Sequence, residues 1–100
     1  MLAMGGDGVI SVVGNGLPEE FGRLVHSAMK GDFGTARKEH LKLIELITLL
    51  FVEGNPGGIK EVLKSLGLCD VHMRLPLVPV SEGTAKKIHQ ALADAEVVKL

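Results

Sequence analysis

One short segment constrains the fold more than any other. Residues 8–13 read G-V-I-S-V-V, with β-branched apolar side chains at both parities of the alternation. A strand that is apolar on both faces is typical of a parallel sheet or barrel covered on both sides. The sequence contains no second convincing strand, so the backbone groups of this one would lack hydrogen-bond partners. We therefore expect these 100 residues to be the tail of a larger protein.

The remaining sequence predicts four helices, delimited by proline, by capping residues and by glycine stops. The first helix spans Leu17 to Lys30, and the second spans about Phe33 to Val52 after an Asp32 cap. The third begins at Pro56 with Asn55 as its cap and stops at Gly67. The last helix follows a Ser81 cap. The stretch from Leu41 to Val52 is apolar nearly all round. Such a pattern indicates burial on several sides or a subunit interface.

Charge and composition exclude several classes of partner. Eleven basic residues against twelve acidic ones give a net charge of -1. This balance argues against binding to nucleic acid or to an anionic membrane. No apolar run reaches the roughly 18 residues of a membrane span, and residues 1–8 lack the basic cluster of a signal peptide. The single cysteine, Cys69, cannot form an internal disulfide and favours a cytoplasmic location.

Isolated motifs favour structural interpretations over chemistry. Gly14-x-Gly16 after the strand is how a dinucleotide-binding turn begins, but Glu19 stands where a third glycine is needed. The four histidines have no metal-ligand spacing, so we predict no metal and no cofactor. Cys69 is predicted to be a buried inert thiol and Arg74 to form a structural ion pair. The lysines fall on predicted helices or at the terminus, where they are expected to be solvated.

Four motifs in order carry a family resemblance. They are G-G-D-G-V-I-S-V (Gly5 to Val12), A-M-K-G-D-F-G-T-A-R (Ala28 to Arg37), F-V-E-G-N-P (Phe51 to Pro56) with Lys60, and R-L-P-L-V-P-V-S (Arg74 to Ser81). Together they resemble the C-terminal third of the dihydrodipicolinate synthase family, over essentially the whole chain. The family belongs with the N-acetylneuraminate lyase-like class I aldolases.

The resemblance implies an α/β fold, a TIM (β/α)8 barrel followed by a helical subdomain and assembled as a homotetramer. Gly8 to Val13 would be the eighth strand and Leu17 to Lys30 the eighth helix. Residues 1–31 would then end the barrel, and residues 32–100 would form the C-terminal helical subdomain. The chain itself would be mostly α by content, and the missing neighbours of its strand would be barrel strands.

The family's reaction, in the diaminopimelate route to lysine, condenses pyruvate with aspartate semialdehyde. Pyruvate forms a Schiff base with a lysine on strand six, and a tyrosine and a threonine pair relay protons. None of these groups can be matched here, and the chain contains no tyrosine. We therefore predict no catalytic residue and an inactive isolated chain. The resemblance carries over only Ile10, which would line the pyruvate pocket through its main chain.

Two alternatives remain open. The chain could be the tail of a related pyruvate-dependent aldolase, of the N-acetylneuraminate lyase or keto-deoxy-sugar type, or a separate helical oligomerisation module. Two departures from the family pattern leave the aldehyde substrate open. Val13-Gly14-Asn15-Gly16 stands where many members have an alanine–asparagine pair, and Gly57-Gly58 stands where many have bulky residues. Two glycines in the first turn of a helix cost about 1 kcal/mol each relative to alanine.

Overall fold

The computed structural model describes residues 1–97, so the last three residues of the predicted subdomain 32–100 lie outside the described range. That range contains two short 3₁₀ turns, Leu2–Met4 and Val13–Asn15, and four α-helices. The helices are α1 (Pro18–Met29), α2 (Phe33–Leu49), α3 (Gly57–Ser65) and α4 (Glu82–Asp94). The chain forms two compact units, Met1–Leu43 and the described residues from Ile44 onward. The predicted division after residue 31 stays a prediction.

The segment predicted as a strand is not a strand in this structure. Residues 1–97 contain no assigned strand, and Val13 instead begins a 3₁₀ turn. The physical reason is that a strand needs a neighbouring strand for its backbone hydrogen bonds, and the described residues do not supply one. The chain is helical, as predicted by content, and the barrel itself is not present in it.

The first unit is organised by two helix boundaries that the sequence predicted correctly. Pro18 occupies the first turn of α1. Gly31 ends this helix with a left-handed φ of 81°, which glycine adopts without steric cost. Asp32 then caps α2, because its carboxylate accepts a hydrogen bond of 3.1 Å from the N–H of Thr35. The core residues of this unit are Val13, Leu17, Ala36 and Leu43, all less than 10% exposed.

The second unit packs α3 against α4 around the buried residues Leu46, Leu50, Ile59, Val62, Ile88, Ala91 and Leu92. The predicted Asn55 cap is wrong: α3 begins at Gly57, and the N-cap position is Pro56, which makes no side-chain cap. The need for glycine at position 58 has a steric cause, since a Cβ built there would lie 2.6 Å from the carbonyl oxygen of Leu50. The glycine thus permits a backbone approach that any side chain would prevent.

The apolar stretch from Leu41 to Val52 is buried on one side rather than all round. Helix α2 ends at Leu49, three residues earlier than predicted. Leu43 and Leu46 are buried on it, and so is Leu50 just beyond its end. The exposed large apolar residues of this stretch are Leu41 in the first unit and Ile44, Phe51 and Val52 in the second. None of the helices within residues 1–97 combines the length and the apolar character that crossing a membrane requires.

Candidate functional site

Ile10 lies in the loop that precedes the Val13–Asn15 turn, and its side chain is fully exposed. Among residues 1–97, the backbone groups of Val9 and Ile10 make no backbone hydrogen bond. The carbonyl and the side chain of Ile10 are therefore both available for contact with another group. Its predicted place in a pyruvate pocket stays a prediction.

The chain that follows Ile10 is held by a compact set of hydrogen bonds. The hydroxyl of Ser11 accepts from the N–H of Gly14 at 3.2 Å. The side-chain amide of Asn15 donates to the carbonyl oxygens of Ser11 at 3.1 Å and Val12 at 3.2 Å. These bonds fix the direction in which the chain leaves Ile10. We did not predict this role from the sequence, although serine and asparagine beside glycine are typical of side-chain-stabilised turns.

The first and second family motifs meet on one side of α1. Val9 of the first motif and Ala28 and Phe33 of the second line a groove of about 230 Å³. Every residue that lines the groove is apolar, including Phe21 and Leu24. Such a surface binds apolar side chains of a protein rather than a charged keto acid.

The third and fourth motifs are joined by one carboxylate. Glu53 accepts hydrogen bonds from the Ser81 N–H, at 3.1 Å to Oε1, and from the Ser81 hydroxyl, at 2.8 Å to Oε2. Ser81 also caps α4 as predicted, because its hydroxyl accepts from the N–H of Thr84 at 3.3 Å. The hydroxyls of Thr84 and Ser81, with the Ser81 N–H, hold the pKa of Glu53 below its ordinary value. Residues 53–57, Met73 and residues 76–78 border a cleft of about 150 Å³ here.

Two buried carboxylates are paired within their own units. Glu61 on α3 lies 2.9 Å from Nε2 of His89 on α4. In the first unit, Glu39 lies 3.7 Å from Arg23 and 3.9 Å from Lys42. Burying a carboxylate is costly unless it is paired, so these contacts indicate structural roles. No local pattern in the sequence indicates the Glu61–His89 pair, because the two residues are 28 positions apart.

Other candidates from the sequence lie apart from these features. Cys69 is exposed, so its predicted burial is wrong; it follows the left-handed turn at Gly67, in a segment with no buried residue. Arg74 makes no ion pair with any residue in the described range, contrary to expectation. His26 and His40 are exposed. Residues 1–97 hold no cluster of three or more histidine, cysteine or acidic side chains suited to a metal ion.

Comparison with known proteins identifies the family. Residues 1–95 match the sequence model of the dihydrodipicolinate synthetase family. The 4-hydroxy-tetrahydrodipicolinate synthase of Azobacteroides pseudotrichonymphae is 47% identical over 92 residues, which are 92% of this chain and 31% of that protein. The synthase of Phocaeicola vulgatus is 43% identical over 97 residues, 97% of this chain and 33% of that protein.

Solved structures agree with this match. Dihydrodipicolinate synthase from Thermotoga maritima has a TM-score of 0.91 and 39% identity, covering 97% of this chain and 33% of that one. The chloride-inhibited synthase of Acinetobacter baumannii, complexed with pyruvate, has a TM-score of 0.91 and 34% identity, with the same coverage. These neighbours are TIM-barrel enzymes.

The chain therefore belongs to the dihydrodipicolinate synthetase family. It corresponds to the C-terminal third of that family and spans about a third of the length of the curated relatives that it matches. Relatives named as the synthase indicate a lyase family.

Proposed function

We propose that this chain is the C-terminal part of a 4-hydroxy-tetrahydrodipicolinate synthase, which condenses pyruvate with aspartate semialdehyde in the diaminopimelate route to lysine. The Schiff-base lysine and the catalytic tyrosine would lie in the part of the enzyme that these 100 residues do not include. The observation that carries the proposal is the 40–47% identity to proteins named as this synthase over nearly the whole chain. The pyruvate complex of a similar enzyme supports pyruvate as the substrate.

The contribution of this chain would be to shape the pocket rather than to perform the chemistry. Barrel active sites lie at the carboxyl ends of the strands, where residues 10–15 would fall. Ile10 would present its carbonyl to pyruvate, and the hydrogen bonds from Gly14 to Ser11 and from Asn15 to Ser11 would hold that carbonyl in place. The chain alone would be inactive.

The parent enzyme would be a cytoplasmic homo-oligomer, a tetramer as the family resemblance implies, with no nucleic-acid or membrane partner. The exposed apolar side chains of Ile44, Phe51 and Val52 in the second unit support association with another subunit. One similar solved protein is described as a monomeric synthase variant, so family membership alone does not fix the assembly.

A chimaera tests the proposal. The third of the Phocaeicola vulgatus synthase that this chain matches would be replaced by the present chain, and condensation of pyruvate with aspartate semialdehyde would be measured. We expect activity in the chimaera and none in the host truncated before the matched third. A folded chimaera without activity would contradict the proposal. If the isolated chain were also a stable, cooperatively folded monomer, the separate-module alternative would be favoured.

A further inference from the structure

The turn that follows Ile10 ends on an asparagine–glycine pair. Asn15 is the last residue of the Val13–Asn15 turn, it is exposed, and Gly16 comes directly after it. In such a pair the backbone nitrogen of the glycine can attack the side-chain amide carbon of the asparagine, because glycine has no Cβ to obstruct the approach. The product of this attack is a deamidated residue.

The reaction at this pair needs only water as a co-reactant. The Gly16 nitrogen gives up its proton and forms a bond to Cγ of Asn15. The bond from Cγ to Nδ2 breaks, and the leaving group takes up a proton and departs as ammonia. Water then opens the resulting cyclic imide on one side or the other, which leaves aspartate or isoaspartate at position 15.

In the folded turn both reacting groups are engaged elsewhere. Gly16 is buried, and its N–H donates to the carbonyl oxygen of Val13 at 3.1 Å, which holds the proton that the attack must remove. The side-chain amide of Asn15 donates to the carbonyl oxygens of Ser11 and Val12, at 3.1 and 3.2 Å. The turn must therefore open before the reaction can proceed, and the rate follows how often it opens.

We propose that Asn15 is a deamidation site, that opening of the Val13–Asn15 turn sets its rate of conversion, and that conversion dismantles the turn irreversibly. A carboxylate has no N–H to donate, and its charge repels the two carbonyl oxygens to which the amide was bonded. In the enzyme, the carbonyl of Ile10 would then lose its support. This last consequence rests on the proposed function, in which that carbonyl contacts pyruvate.

The chain contains a natural control for this chemistry. Its one other asparagine is Asn55, which precedes Pro56. A proline nitrogen carries no N–H, so it cannot form the imide by the same attack. Asp7 precedes Gly8 and can form the same kind of imide, but its conversion to isoaspartate leaves the mass unchanged. A mass measurement therefore compares Asn15 with Asn55 within one molecule.

The test follows the amide-to-acid mass increase at each asparagine in mildly alkaline buffer. It compares the intact chain, its Ser11→Ala variant and a synthetic peptide of residues 11–20, which has no stable turn. We expect Asn15 to convert at least about tenfold more slowly in the intact chain than in the peptide. Ser11→Ala removes the hydrogen bond from the Gly14 N–H and should speed conversion about two- to tenfold. Asn55 should stay unconverted in both proteins.

Two results would overturn the proposed site. One is conversion of Asn15 at the same rate in the peptide and in a chain whose helices are verified by circular dichroism. The other is conversion of Asn55 as fast as that of Asn15. If Ser11→Ala does not fold, a urea series on the unsubstituted chain replaces it. The rate should then rise with urea to the value of the peptide, and a rate that does not respond to urea counts against control by the turn.

The chimaera tests the consequence for the enzyme. Asn15→Asp should raise the KM for pyruvate by about threefold or more, as expected for the loss of one hydrogen bond, and leave the KM for aspartate semialdehyde unchanged. An unchanged pyruvate KM refutes this consequence. An inactive unsubstituted chimaera refutes the proposed function and this consequence with it, whereas the mass measurement on the chain still decides whether Asn15 is a deamidation site.

Discussion

The carboxylate of Glu53 accepts hydrogen bonds from both the backbone N–H and the hydroxyl of Ser81, 28 residues further along the chain. This contact fastens the F-V-E-G-N-P segment to the N-terminus of α4. The same serine caps that helix through the N–H of Thr84. One carboxylate therefore couples a loop and a helix start that are far apart in the sequence.

The Glu53 contact should make the second unit sensitive to acid. The pKa of Glu53 is lowered by Thr84 and Ser81, so its stabilisation is fully present above the unfolded-state pKa of about 4.3. That stabilisation is lost as the pH falls through the lowered folded-state pKa. We expect the protection of the amides in the first turn of α4, corrected for the intrinsic pH dependence of hydrogen exchange, to fall over this range, and Glu53→Gln to show low protection at neutral pH. Glu82→Gln, a nearby exposed substitution, serves as the control; equal behaviour of the two variants would contradict the role of Glu53.

Gly58 should tolerate no side chain. In Gly58→Ala the new Cβ would meet the Leu50 carbonyl oxygen at 2.6 Å, so the two backbones must separate. We expect a loss of about 1–3 kcal/mol in unfolding free energy, measured by chemical denaturation. Gly83→Ala is the matched control, because no atom lies within 4 Å of its Cβ, and it should be neutral or stabilising by up to about 1 kcal/mol. Equal stability of the two variants would show that α3 does not approach Leu50 this closely.

The Glu61–His89 hydrogen bond should be measurable as a coupling. His89→Ala leaves the buried Glu61 carboxylate without this partner and should cost about 1–3 kcal/mol. Glu61→Met in the same background should recover part of that loss, because an apolar side chain needs no partner. A double-mutant cycle is expected to give a coupling on the order of 1 kcal/mol. Strictly additive effects would mean that the pair contributes nothing to the α3–α4 packing.

Ile10 should matter only where the rest of the enzyme is present. In the free chain its side chain is fully exposed, so Ile10→Val should leave stability unchanged. In the chimaera the same change should cost about 0.5–1.5 kcal/mol while pyruvate KM stays nearly constant, because the contact is made by the backbone. Ile10→Pro should raise KM sharply by displacing the carbonyl. A tenfold rise in KM for Ile10→Val at unchanged stability would assign the contact to the side chain instead.

The sequence predicted local boundaries better than long-range contacts. Helix starts and stops depend on residues within a few positions of one another, so their roles could be inferred from spacing alone. Such positions are Pro18, Gly31, Asp32 and Ser81. Two other contacts could not be inferred in this way. The close approach of Gly58 to Leu50 and the hydrogen bond of Glu53 with Ser81 depend on how the chain folds back on itself, which no local pattern encodes.

The predicted strand at 8–13 shows a different limit. Its apolar pattern was interpreted from the residues themselves, but a strand exists only when a neighbour accepts its hydrogen bonds. The predicted burial of Cys69 was wrong for a related reason, because the residues beside it in the sequence are apolar but do not place it in the core. The family resemblance supplied what periodicity could not, namely the family to which the chain belongs.

Pyruvate trapping with borohydride tests the central claim most directly, because reduction makes a Schiff base permanent and mass spectrometry locates it. The chimaera should carry one pyruvate-derived adduct, on a lysine of the host portion. The free chain should carry none on any of its eight lysines. A stoichiometric adduct on a lysine of the free chain, or a folded and pyruvate-treated chimaera without any adduct, would contradict the account.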